Sequence, residues 1–221
     1  MNIRYNLQKY LFTLIGDTAF HLSITKEYGF RFMFGINPPS YSFSGDELYD
    51  CIEKLFDGEF EPGDIFLRRY DSYLDTKFIP GEMNHAGVYV GKENGKHHVI
   101  HALSQGVIKE NAVNFLRTDH FVVFRPNIPK ELRSEAAISA YDYLGRPYDF
   151  DFKFTDDSRL ACTELIGACY KKFSDVYKFN MKQRFGRITL IADDIFLSDG
   201  EIVFHTKSIE DFNIWKLKNK N

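Results

Sequence analysis

One thiol and two imidazoles are the side chains through which this sequence could do covalent chemistry. Cys162 stands at or just before the first turn of an amphipathic helix whose apolar face runs through Leu165, Ile166, Cys169, Tyr170 and Phe173. At a helix start the unsatisfied backbone N–H groups and the macrodipole favour an anion. A thiolate is stabilised there, and the thiolate is the nucleophilic form of cysteine. His85 opens a strand and is followed by Ala86 and Gly87, small residues that leave room beside a ring. His101 closes the next strand of the same hairpin, which puts the two imidazoles within reach of each other. A nucleophile needs a base, and the base needs a group that fixes its tautomer. Cys162, His85 and His101 could fill those three roles. Taken singly, each has a structural use instead: a small buried residue at a helix start, or a histidine satisfied by hydrogen bonds. His97 shares the strand parity of His101 and is its rival for the third place.

The remaining candidates are weaker. Cys51 lies on the apolar stripe Leu48, Cys51, Ile52, Leu55 and Phe56, and Cys169 lies mid-helix, so both read as core. Three cysteines are an odd number without a CxxC pair, which argues against a disulfide framework and a cysteine-rich zinc site. His97, His98 and His101 could supply imidazoles to a metal, but no HExxH or paired CxxC accompanies them. Neither a metal nor a cofactor is expected.

The elements that must position these groups follow from changes of period. A capping box at Ser44 and Glu47 starts a helix that Asp57-Gly58 stops. From Pro62 the pattern becomes period two, with strands at Ile65–Arg68, His85–Gly91, Lys96–Ala102, Gly106–Lys109 and Phe121–Arg125. Glu93-Asn94-Gly95 is a hairpin turn, and connections this short make the sheet an antiparallel meander. Helical period returns from Pro129 to Leu144 and again from Cys162. Two further apolar runs, Ile188–Ala192 and Glu201–His205, read as edge strands or packing loops. Strands followed by helices give an α+β domain. We divide the chain into an N-terminal helical elaboration (1–58), a catalytic domain (59–200) and a C-terminal extension of the same domain (201–221).

Composition excludes some partners. A formal net charge of −3 leaves no electrostatic footprint for nucleic acid. No segment has the roughly 18–20 apolar residues that span a bilayer, and no secretory pattern is found at the N-terminus. The cytosol is therefore the default compartment. An aromatic content of 16% is high enough to build either a dense core or an apolar groove.

Four segments, in order, carry a resemblance. They are Pro62-Gly63-Asp64-Ile65-Phe66; Ile79-Pro80-Gly81; Asn84-His85-Ala86-Gly87-Val88-Tyr89-Val90-Gly91; and Gly145-Arg146-Pro147-Tyr148-Asp149-Phe150-Asp151-Phe152 leading to Ala161-Cys162-Thr163-Glu164-Leu165-Ile166. Over residues 59–200 the chain resembles the YiiX/YebB-like branch of the NlpC-type papain-like cysteine hydrolases, whose order is circularly permuted so that the histidine strand precedes the cysteine helix. The resemblance implies a permuted papain-like fold, an antiparallel sheet of five to six strands packed against helices. It implies Cys162 as nucleophile and His85 as general base. His101 falls where relatives carry a polar residue, often Glu, that orients the base; His is the usual third residue in the wider superfamily. Tyr148 matches a tyrosine that lies beside the nucleophile and helps polarise the substrate carbonyl. Asp64 matches a turn aspartate and reads as structural. Glu164 lies in the first helical turn, where its charge would oppose a thiolate, and takes no catalytic role.

Chemistry then proceeds through an acyl-enzyme, with the backbone N–H of Cys162 as the first oxyanion donor. The superfamily favours an amidase or peptidase acting on a peptide-like substrate. The alternatives are a lipid or thioester acyl hydrolase or acyltransferase on the same Cys-His-His site, and a non-catalytic binding module that keeps the fold.

Overall fold

The change of hydrophobic period at Pro62 is realised as a sheet, and its return at Pro129 as helices laid on that sheet. The computed structural model describes residues 45–71, 79–154, 156–184 and 186–219. The expected N-terminal elaboration up to residue 44, with the Ser44 cap, lies outside them. The described residues form eight strands: β1 (Ile65–Arg69), β2 (His85–Glu93), β3 (Lys96–Leu103), β4 (Gly106–Asn111), β5 (His120–Pro126), β6 (Lys182–Arg184), β7 (Arg187–Thr189) and β8 (Gly200–His205). The helices are α1 (Gly45–Asp57), α2 (Ala112–Phe115), α3 (Lys130–Ser139), α4 (Cys162–Tyr170), α5 (Ala192–Phe196) and α6 (Asn213–Lys218).

Six strands pair antiparallel in the order β4-β3-β2-β1-β5-β8, while β6 and β7 form a hairpin of their own. The sheet is thus a meander only as far as β4. The chain then returns over α2 to add β5 on the other side of β1, and β8 extends that edge. Of the two late apolar runs, Glu201–His205 joins the main sheet. Ile188–Ala192 does not: it ends β7 and enters α5, which Asp194 caps by accepting the Ile191 N–H. The helix expected from Pro129 also stops short of Leu144: α3 ends at Ser139 and tightens to a 3₁₀ turn over Ala140–Tyr143 before Gly145. No helix among the described residues is long and apolar enough to cross a membrane.

The two faces of the sheet carry two cores. Ile65, Leu67, Ala86, Val88, Ile100, Ala102, Val122 and Phe124 pack under the long helices against Ala136, Leu165, Ile166 and Cys169. Fully burying side chains such as Leu165 and Ile166 stabilises the docking of α4 by about 1.5–3 kcal/mol each. Phe66, Tyr89, Val99, Phe121 and Val123 face the other way, against Phe115 of α2 and Cys51 and Leu55 of α1. Both cysteines read as core, Cys51 and Cys169, are fully buried. Asp64 is also structural: its carboxylate takes two hydrogen bonds from Arg125, at 2.8 and 2.7 Å, and the Glu61 N–H at 2.8 Å.

The hairpin of β2 and β3 sets the register on which the histidines depend. Asn94 and Gly95 both adopt positive φ (50° and 79°), as a two-residue turn with right-handed strand twist requires. This places Gly87 opposite His101. A Cβ at Gly87 would lie 2.5 Å from Val99 Cγ1 and 3.1 Å from His101 Cβ. Gly87→Ala should therefore overpack this face and destabilise the protein by about 1–3 kcal/mol, read as a lower Tm in thermal unfolding.

Candidate active site

The site gathers at the start of β2. His85 is the first residue of the strand, and the segment before it is tied down by α5: Asp193 accepts the N–H groups of Glu82 and Met83, the latter at 2.7 Å. Glu82 in turn accepts the Asn213 and Ile214 N–H groups at the start of α6. His85 Nε2 lies 2.9 Å from His101 Nδ1, within hydrogen-bond distance. His101 Nε2 lies 3.1 Å from Glu110 Oε2, an ion-pair distance off the ideal hydrogen-bond line. Both rings are buried, and Phe115 covers them, stacked on His85 and edge-on to His101. Arg68, opposite His85 across β1–β2, lays its guanidinium 4.0 Å over the Phe115 ring.

This row of groups has a direction. Glu110 is held below the usual carboxylate range: burial would raise it, but the His101 ring and the Arg68 and Arg117 charges outweigh that. A carboxylate can only accept, so His101 Nε2 carries the proton and its Nδ1 is left to accept. His85 then donates from Nε2, and its lone pair sits on Nδ1. Burial, followed by the Arg68 charge and by His101, holds His85 well below the ordinary histidine value. His101 is lowered by burial too, partly offset by Glu110. Both rings are neutral at pH 7, and His85 is available to take a proton.

Cys162 begins α4 and is buried. The backbone N–H groups of Ala86, Thr163 and Cys162 itself lie near enough to the thiol to lower its pKa, which sets the thiol close to the residue that follows His85. No hydrogen bond joins the sulfur to the His85 ring among the described residues: main-chain N–H groups hold the thiol, and His101 holds the imidazole. Burial pushes the thiol up to about 11, against the lowering effect of those N–H groups and with a small push from Glu164.

His97 lies at the other end of the hairpin. It pairs with Lys92 in register, bonds the Tyr89 hydroxyl through Nδ1 at 2.6 Å and packs on Phe56. Four residues of strand separate it from His101, about 13 Å. Tyr148 is buried in an aromatic group with Phe150 and Phe152. Its loop is pinned to β4 through Val107 N–H to Arg146 O (2.8 Å) and closed by Leu160 N–H to Pro147 O (3.0 Å). A cleft of about 540 Å³ runs along the outer side of α4, lined by Glu164, Gly167, Ala168 and aromatic residues, but it does not include Cys162.

The sequence reading missed Glu110, Arg68 and Phe115. A signal for Glu110 was present: the tight turn at Ser104-Gln105 sets β3 against β4 so that Glu110 lies opposite Val99, diagonal to His101 on the same face. Arg68 and Phe115 carried none, because each reaches the site through a pairing distant in sequence.

Residues 59–213 match the family described as permuted papain-like amidase enzymes, YaeF/YiiX, C92. The chain belongs to that family. A similar fold occurs in the crystal structure of the metalloprotein YiiX from Escherichia coli O157:H7, at 20% identity and a TM-score of 0.56 over 66% of this chain and 97% of that one. None of the curated proteins matches. The permuted papain-like fold anticipated from the four motifs is thus the observed one, and the family to which the chain belongs is one of amidase-type hydrolases.

The direction of the imidazole row can be tested without a substrate. Two-bond ¹H–¹⁵N correlation should show both His85 and His101 as Nε2–H tautomers at neutral pH. Glu110→Ala should remove that assignment for His101 and let the His85 tautomers mix.

Proposed function

We propose that the protein is a cysteine-dependent amidase or peptidase in which Cys162 is the nucleophile, His85 the general base and His101 the group that orients the base. The observation that carries this reading is that Cys162 stands at the first turn of α4, with its thiol under the influence of the Ala86 N–H, next in the chain to His85, whose Nε2 lies 2.9 Å from His101 Nδ1. His85 Nδ1 takes the thiol proton as the sulfur attacks the carbonyl carbon of an amide. The C–N bond then breaks, the imidazolium returns the proton to the departing amine, and the acyl group stays on sulfur. Water, deprotonated by the same imidazole, attacks the thioester and frees the acid and the thiol. The backbone N–H of Cys162 at the helix start is the first candidate donor to the oxyanion, and Tyr148 is the candidate accessory donor. In this scheme residues 59–200 are the catalytic domain, with 1–58 as elaboration and 201–221 as an extension.

A second reading takes a lipid or thioester as the acyl donor. The cleft along α4 has the volume for an aliphatic chain and several apolar and aromatic walls, although Asp156, Asp157, Lys171, Lys178 and Lys182 also line it and Cys162 does not. YiiX is described as a metalloprotein. Here His85 and His101 bond each other instead of converging, and the described residues hold no group of three or more His, Cys, Asp or Glu arranged as metal ligands. No step is therefore routed through a metal.

Cys162→Ala should abolish turnover of amide substrates and labelling by a thiol-directed acyl probe; retained activity sinks the reading. His85→Ala should slow turnover by about 10²–10⁴-fold. Because the resting thiol titrates at about 11, alkylation of Cys162 by iodoacetamide should rise about tenfold per pH unit through the neutral and mildly alkaline range. Peptide amides and acyl-thioesters, offered in parallel, separate the two readings.

A further inference from the structure

Beside the thiol lies a second titratable unit that the acyl-transfer scheme does not use. Glu164 is in the first turn of α4 and Asp149 is in the loop that leads to it; their exposures are 4% and 2%. Glu164 Oε2 accepts the Ala161 N–H at 2.7 Å, the residue just before Cys162. Asp149 accepts two N–H groups of its own loop, those of Asp151 at 3.0 Å and Lys153 at 2.6 Å. Among the described residues no N–H or O–H group donates to Glu164 Oε1, and the Asp149 carboxyl is its neighbour. Two carboxyl groups can hydrogen-bond only if one carries a proton. A doubly ionised pair would leave two buried like charges in contact, which is why such pairs hold a proton.

We propose that Asp149 and Glu164 share one proton and so tie the Gly145–Leu160 loop to the first turn of α4, acting as a positioning pair for Cys162. This rests on the reading of Cys162 as nucleophile. The charges that act most on Glu164 agree, while Asp157, Lys171, Lys178 and Lys182 line the cleft that it borders. From the loop, Asp149 and Asp156 face Glu164 and oppose its ionisation. The nearby cations Lys153 and Arg159 are directed to Asp151, at 3.4 and 3.9 Å. On its own helix the neighbouring titratable group is Cys162, whose thiol a Glu164 carboxylate would push up. Burial first, then the Asp149 charge and hydrogen bond and the Asp156 charge, raise Glu164 to about 8 despite the Ala161 N–H. The proton therefore does two things: it makes the tie between loop and helix, and it removes a negative charge from beside the thiol.

The sign of the pH dependence follows. Glu164 binds a proton more tightly in the folded chain than at its ordinary value of 4.5. Its contribution to stability is complete below about 4.5 and is lost as pH rises to about 8. Glutamine mimics the protonated acid: its carbonyl accepts the Ala161 N–H and its amide donates to Asp149.

The test uses the full-length protein as wild type, Glu164→Gln, Asp149→Asn and Cys162→Ser. Thermal unfolding is followed from about pH 4 to about pH 9, a range that spans both ends of the linkage. Iodoacetamide alkylation is located at Cys162 by peptide mass spectrometry over the alkaline part. The Tm of the wild type should fall relative to that of Glu164→Gln between about 4.5 and about 8. Glu164→Gln should be alkylated at lower pH than the wild type, a shift that a purely structural contact would not produce. Asp149→Asn, whose amide donates to the Glu164 carboxylate, should likewise lose the pH-dependent fall. Parallel Tm profiles for wild type and Glu164→Gln overturn the proposal. So does an Asp149→Asn variant that keeps the wild-type slope, even if Glu164→Gln fails to fold. If an acyl probe labels Cys162 and not the Cys162→Ser protein while the profiles run parallel, the carboxyl pair is wrong and the nucleophile stands. If the profiles diverge as expected but the probe does not label Cys162, the pair stands and the nucleophile is wrong.

Discussion

The hydrogen bond between His85 and His101 requires two imidazoles to meet, uncharged, inside the protein. That requirement reaches well beyond the two rings. They can meet only in the register set by the Asn94-Gly95 turn, since a one-residue slip would carry His101 to the opposite face of the sheet. They fit only because Gly87 has no side chain to fill the space opposite His101. They stay neutral because Phe115 excludes water on one side and Arg68 brings a positive charge close by. Glu110 then decides which nitrogen carries each proton. Remove the bond and these features lose their common purpose.

The thiol shows two effects in competition. A helix start favours a thiolate, and the N–H groups of Ala86 and Thr163 add to that preference. A helix terminus is worth typically 0.3–1 kcal/mol, about half a pKa unit. Full burial can move a pKa by several units the other way. Burial wins, and the thiol is held up at about 11. The Cys162 thiol and the His85 imidazole are therefore both neutral at rest and do not form a stored ion pair. In the proposed mechanism, proton transfer accompanies the attack on the substrate carbonyl. The helix start still serves there, because its N–H groups can stabilise charge that develops on the way.

How much of this was legible in the sequence depended on how locally each partner was encoded. His85 and His101 belong to one hairpin with a recognisable turn, so their meeting could be inferred from strand spacing. Cys162 was legible from the helical period that follows it. The return of the chain to place β5 beside β1 was not, because antiparallel pairing across some 50 residues leaves no periodic trace. Glu164 was visible in the motif, but its surroundings were not. Its charge was set against a thiolate, whereas its surroundings favour the acid. Burial beside a second carboxyl group is a property of the fold, not of the motif.

Carboxyl groups do different work around this site according to what faces them. Glu110 faces the His101 ring, with the Arg68 and Arg117 charges acting on it, and stays ionised, which lets it choose a tautomer. Asp193 meets two backbone N–H groups and holds the segment before His85 in place, so the late helix α5 contributes to the geometry of an early strand. Glu164 meets another carboxyl group and is raised towards the acid form. The same functional group thus orients, anchors and locks, and the difference lies in the donors supplied by each neighbour. A substitution that conserves charge but moves a donor would therefore disturb the site more than one that removes charge and keeps the donor in place.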